Sequence, residues 1–172
     1  MALFERRRRP ALPADVRAVV ALDAGEQVLA WARDETTGAH VVATTYHLAL
    51  VDAEGRLIWR RPWHEAESGT WQGESSRLTV TWVDRSVPTR WHLTEPSLIQ
   101  QALRERLQAS VVLADEFRTA GRRTVRVVIR QDLASGALLE QTIPGKGADL
   151  GDPEVAREAA DRMARLRSEV GL

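Results

Sequence analysis

The chain has 172 residues, no cysteine and a net charge of zero, with 44% apolar and 28% charged residues. This length and composition fit one folded domain or one domain with an appendage, and they exclude a collagen-like or wholly disordered chain. Without cysteine there are no disulfides and no thiol chemistry, and no apolar run approaches the length of a membrane-spanning helix.

Residues 1 to 17 are predicted to form an N-terminal arm. Four consecutive arginines stand in it, Arg6, Arg7, Arg8 and Arg9. The apolar stretch that follows is too short and too charged for an export signal, so we expect a cytoplasmic protein. Basic residues at an anionic membrane contribute about 1 kcal/mol each, which makes a weak membrane contact through this run an alternative function.

Seven short strands are predicted after the arm, because apolar residues recur at every second position from Gln27 onward. Polar turns, or turns with glycine or proline, separate them. The predicted strands are 28–33, 40–44, 46–52, 56–60, 63–71, 77–83 and 89–94. Seven strands of this length suit a small barrel or sandwich.

A helical repeat begins after the seventh strand. Pro96 suits a first helical turn, apolar residues follow at helical spacing from Leu98 to Phe117, and Gly121 supplies a stop. The pattern predicts one amphipathic helix of about 20 residues, over residues 96–118.

Seven strands closed by one helix resemble the bacterial pleckstrin-homology-like superfold (PH-like, including GRAM-like). Residues 41–52 look like its second hairpin, and Ile58 to Glu65 look like the strand that follows. The resemblance covers residues 26–118 and implies a partly open barrel of two nearly orthogonal sheets, plugged by the helix. We therefore expect a mainly β (α+β) fold with a PH-like barrel domain over residues 18–120.

Composition adds two expectations. Lys146 is the one lysine among 24 basic residues and asparagine is absent, which indicates a GC-rich genome of the actinobacterial type. Residues 18–95 hold more acidic than basic residues, and the first predicted loop, DETTGA, is acidic. Lipid-binding members of the superfold carry basic residues in that loop, so we expect neither phosphoinositide binding there nor nucleic-acid binding.

The tail, residues 121–172, is predicted to be a hairpin followed by a helix. In its first strand Val125, Val127 and Ile129 alternate with Arg126, Val128 and Arg130. Asp152 is the expected helix cap and Pro153 the first helical residue. So small a unit makes a poor core alone, so we expect it to pack on the barrel or on a second copy, which would give a homo-oligomer.

The sequence contains no motif for catalysis or cofactor binding. It lacks HExxH and Gly-x-Ser-x-Gly, and Gly145-Lys146-Gly147 lacks the spacing of a P-loop. We expect no metal, no cofactor and no enzymatic activity.

All six tryptophans lie between residues 31 and 91. Trp59 and Trp63 flank Arg60 and Arg61, and tryptophan with arginine is typical of interface hot spots. These four residues are the predicted partner-binding surface, with core packing as the alternative for the rings. The leading hypothesis is a non-enzymatic module that docks a protein partner through its sheet surface or the groove beside the helix. A small-molecule carrier or an enzyme that uses the barrel interior is a further alternative.

Overall fold

The first four strands form one antiparallel sheet. The computed structural model describes residues 11–93 and 98–172. Its first elements are α1 (Ala14–Val20), β1 (Val28–Arg33), β2 (His40–Thr44), β3 (His47–Val51) and β4 (Leu57–Pro62). The strands pair in the order β1-β2-β3-β4. Helix α1 spans the predicted boundary between arm and barrel, and its Val16 and Val20 are buried on the outer face of this sheet.

The next three strands form a second antiparallel sheet. A 3-10 turn over Trp63–Glu65 leads into β5 (Ala66–Gln72), β6 (Arg77–Trp82) and β7 (Thr89–His92), paired in that order. The turn replaces the beginning of the strand predicted over residues 63–71, because Pro62 cannot donate to a sheet and the chain changes direction there. All seven predicted strands are otherwise confirmed, with ends that differ by at most three residues.

The main core lies between these two sheets. Alternation within each strand directs one set of side chains inward, including Val41, Leu48, Leu78 and Trp82. At one corner the loop after β1 links the sheets, because buried Asp34 accepts a hydrogen bond of 2.7 Å from the His92 backbone N–H. The described residues form no closed barrel.

Helix α2 (Ile99–Ser110) covers one end of this core. Gly69 on β5 allows the close approach, since a side chain at that position would collide with Leu103. The helix predicted over residues 96–118 was too long. After Ser110 the chain becomes extended, and β8 (Val111–Arg118) follows directly.

A third antiparallel sheet explains why the helix ends early. Strands β9 (Thr124–Gln131) and β10 (Leu138–Pro144) join β8 in it, in the order β10-β9-β8, and the helix α3 (Pro153–Val170) follows them in the chain. The predicted hairpin is confirmed, but β8 adds a third strand along β9. Val111 and Val112 are β-branched and favour a strand, so pairing with β9 overrides the helical spacing of the sequence.

Helix α3 packs on one face of the third sheet, and its cap is confirmed. The Asp152 carboxylate accepts hydrogen bonds from the backbone N–H groups of Glu154 and Val155, and Pro153 is the first helical residue. The apolar α3 residues Val155, Ala159, Met163 and Leu166 are buried against Phe117 and the valines of β9. No helix among the described residues combines the length and apolar character that a membrane span requires.

Candidate functional site

The predicted tryptophans are part of the core. Trp63 is 1% exposed, and its indole N–H donates to the Thr44 carbonyl over 3.0 Å. Trp59 is half-buried and packs edge-on against Trp82, with ring centroids 5.3 Å apart, and at 6.2 Å from the Trp91 ring. The ring of Trp63 therefore offers almost no area to a partner.

Arg60 is held in a partly buried polar cluster. Its Nη2 lies 2.5 Å from Glu26 Oε2 and 2.6 Å from Asp23 Oδ2. The Glu26 side chain is fully buried, and its Oε1 accepts from the Thr44 hydroxyl and lies 2.8 Å from His47 Nδ1. The cluster joins the loop before β1 to the β2–β3 turn and to β4.

Hydrogen bonding keeps Glu26 ionised. Burial by itself would raise the pKa of Glu26, but hydrogen bonds from Thr44, from the Asp23 backbone and from His47 bring that pKa below its ordinary value. Ligand atoms of Asp23, Glu26 and His47 lie within 4.8 Å of one another, a spacing that a metal ion could bridge. The Arg60 guanidinium already contacts both carboxylates there and supplies the positive charge.

Arg61 is also paired within the chain. Its Nε lies 2.7 Å from Glu65 Oε2, its Nη2 lies 2.6 Å from Asp84 Oδ2, and its guanidinium stacks 4.1 Å from the Trp82 ring centroid. Hydrogen bonds from Ser86 and then from Arg61 lower the pKa of Asp84 to about 2. The charge of Arg61 is therefore compensated over the pH range in which proteins ordinarily work.

The alternative membrane-contact residues, Arg6, Arg7, Arg8 and Arg9, lie outside the described residues. Membrane contact through them stays a prediction.

A second candidate lies where α2 passes into β8. A cleft of about 340 Å³ opens between α2, β5, β8 and β9, and we name it the α2 groove. Its walls are Glu67, Leu107, Gln108, Val111, Arg126 and Arg130. The α2 groove is part of the groove beside the helix, which is one of the two docking surfaces predicted from the sequence.

Strand alternation places both arginines in this groove. On β9, Val125, Val127 and Ile129 face α3 and are fully buried, so Arg126 and Arg130 project from the opposite face. That face looks toward the end of α2 and the turn before β5, where Gln141 of β10 also donates to the His64 carbonyl over 2.7 Å.

Arg130 is the most unusual residue of the α2 groove. It is 1% exposed, yet no carboxylate lies within ion-pair distance of it among the described residues. Its Nη1 donates to the Ser110 hydroxyl over 2.9 Å and to the Trp63 carbonyl over 3.4 Å. Its Nε is buried without any hydrogen-bond partner in the described part of the chain.

Burial lowers the pKa of Arg130 to about 10, and the nearby positive charge of Arg126 adds to the effect while Glu67 opposes it. A buried, hydrogen-bond-deficient cation is costly unless an anion compensates it. The sequence showed Arg126 and Arg130 at alternate positions of a strand, but only the packing of α2 against β9 reveals that Arg130 is enclosed.

Comparison with protein-family models, with curated proteins and with solved structures finds no match for this chain. A functional assignment therefore rests on the surroundings of the chain's own residues.

Proposed function

We propose that the protein is a non-enzymatic binding module of the PH-like type, which docks a protein partner in the α2 groove. The order of elements supports the PH-like assignment, because a four-stranded sheet, a three-stranded sheet and a helix follow one another along the chain. The appended third sheet supplies the second wall of the groove, through Arg126 and Arg130.

The observation that carries the proposal is that Arg130 is enclosed without a carboxylate partner among the described residues, in a groove that also has apolar walls. Leu107 and Val111 are half-buried on one side of it, and Gln108 is exposed beside them. A groove that combines apolar surface with a few unsatisfied polar groups is the usual form of a recognition site. In contrast, Arg60 and Arg61 already have their acidic partners within the chain.

External docking is also favoured by the packed interior. The space between the first two sheets holds large side chains with at most 4% exposure, among them Leu48, Trp63, Leu78, Trp82 and Trp91. Side chains that fill the interior leave a small-molecule carrier little volume there.

Site-specific photocrosslinking tests the proposal. A photoreactive amino acid at Gln108, which is exposed on the groove wall, should form a discrete adduct with one protein in a lysate of the source organism. The same group at Arg157, exposed on α3, serves as the matched control. Adducts of equal yield at both positions, or none at Gln108, would contradict docking in this groove.

A further inference from the structure

We propose that the Arg130 end of the α2 groove is a carboxylate-binding site, which receives one acidic residue of the partner protein. The inference rests on the proposed docking function and names the chemistry that the groove recognises. The occupant is a short protein segment with a glutamate or aspartate next to an apolar residue.

Arg130 has N–H donors that no described residue uses, and their arrangement matches a carboxylate. A guanidinium carries five N–H donors. Both hydrogen bonds that Arg130 makes to described residues start from Nη1, to Ser110 and Trp63. Nε is buried and has no partner, so the side formed by Nε and Nη2 retains its donors. A carboxylate that enters between the groove walls and reaches this side would accept two parallel N–H···O hydrogen bonds, a strong and directional arrangement.

The charges that line the groove match a single carboxylate. Among the residues that line the cleft, Arg126 and Arg130 carry two positive charges and Glu67 one negative charge, a net charge of +1. Among the described residues, neither Arg126 nor Glu67 forms an ion pair with another side chain. A monoanion neutralises this site, whereas a phosphate dianion would bring excess charge next to Glu67.

The apolar walls specify what stands beside the acid. Leu107 and Val111 border the same cleft of about 340 Å³, which has room for a few side chains. An apolar side chain of the partner would cover these two residues and exclude water from the ion pair. Exclusion of water strengthens the hydrogen bonds of Arg130, because the local dielectric falls.

Burial also explains why an anion would be favoured here. Enclosure without a counterion lowers the pKa of Arg130 to about 10, so the charged form is destabilised in the free protein. A carboxylate at the Nε–Nη2 edge would remove that penalty.

Nuclear magnetic resonance of the full chain tests the site directly, since the Nε–H group of Arg130 gives its own signal. The ¹⁵N-labelled protein is titrated with N-acetyl-Leu-Glu-amide, and in parallel with N-acetyl-Leu-Gln-amide, at constant ionic strength. We expect the acidic peptide to shift the Arg130 Nε–H signal and to bind about tenfold more tightly than the neutral one. Inorganic phosphate under the same conditions should bind more weakly than the acidic peptide.

Variants locate the effect, with the backbone amides of Gln108 and Val111 as a second readout. Arg130→Met should abolish the preference for the acidic peptide, and Arg126→Gln should weaken binding of that peptide several-fold. Arg157→Gln, on exposed α3, should leave binding unchanged. If Arg130→Met fails to fold, the Arg126→Gln and Arg157→Gln pair still tests the assignment.

Three results would overturn the inference: no shift of the Arg130 signal with the acidic peptide, equal affinity for the two peptides, or tighter binding of phosphate. The crosslinking experiment at Gln108 is independent of these results. An adduct at Gln108 without carboxylate preference would retain the docking function and reject the carboxylate site. Carboxylate preference without any adduct would retain a carboxylate-binding site and reject a protein as its occupant.

Discussion

The arginines of β4 and those of β9 have opposite electrostatic surroundings. Arg60 and Arg61 each contact two carboxylates of their own chain, and Arg61 also stacks on Trp82. Arg130 is more deeply buried than either, yet it donates only to neutral oxygens. Arg60 and Arg61 on β4 stand next to apolar residues, as do Arg126 and Arg130 on β9, so the two local sequences look alike.

We propose that this difference separates a binding arginine from structural ones. Arg60 and Arg61 have partners within the chain, since Arg60 ties β4 to the loop before β1 and Arg61 ties β4 to the loop after β6. Arg130 has no such carboxylate among the described residues, although the Nε atom is without a hydrogen-bond partner in Arg60 as well as in Arg130. Buried polar groups are normally satisfied, and an exception calls for an explanation such as a missing ligand.

The largest expected effect concerns Trp63, which the sequence placed on a docking surface and the structure places in the core. Trp63→Ala should lower the free energy of unfolding by about 4 kcal/mol, because it leaves a cavity between the sheets. Trp71→Ala, at a half-buried ring, should cost about 2 kcal/mol less. Urea denaturation measures both, and a loss below about 1 kcal/mol for Trp63→Ala would contradict its place in the core.

Removal of a paired arginine should have the next largest effect. Arg60→Met leaves the fully buried Glu26 carboxylate without its guanidinium, so we expect a loss of about 2 to 3 kcal/mol in urea denaturation. Arg56→Met is the control, since that side chain is 73% exposed and solvent-exposed ion pairs contribute little to stability. Equal losses for the two variants would remove the contrast between buried and exposed pairs.

The same substitution at Arg130 should change stability much less. Arg130→Met loses two hydrogen bonds but also removes an uncompensated buried charge, so the net change in unfolding free energy should stay within about 1 kcal/mol. The measurement is again urea denaturation, at low and at high salt. A loss above about 3 kcal/mol would identify Arg130 as a structural residue and break the comparison with Arg60.

The smallest effect is a pH dependence at the Glu26 cluster. The pKa of Glu26 lies below its ordinary value of 4.5 in the folded chain, so the unfolded chain binds the proton first as pH falls. The stability that Glu26 contributes is therefore present above pH 4.5 and lost as pH falls through the lower folded pKa. Thermal unfolding of Glu26→Gln between about pH 5 and pH 3 should show a flatter decline than the unaltered chain. Parallel curves would show that other carboxyl groups dominate acid unfolding.

Local pattern was sufficient for most elements and insufficient at two places. Period-two alternation located the strands, and the Asp152-Pro153 signal located the start of α3, because both depend on neighbouring residues. Residues 111–118 satisfy helical spacing as well as strand alternation, so the choice was made by pairing with β9. The short helix α1 was not predicted, since its burial depends on the outer face of the first sheet.

The sequence by itself determined a β-rich chain of short strands, an amphipathic helix after them and a capped helix near the end, because these follow from interactions between residues close in the chain. Only the tertiary structure decided which arginines are compensated. Asp23 and Glu26 are more than thirty residues from Arg60, and Ser110 is 20 residues from Arg130. Charge compensation acts through space, so the composition of the Trp59 to Trp63 stretch could not reveal that its charges are paired within the chain, nor that Arg130 is enclosed without a carboxylate partner.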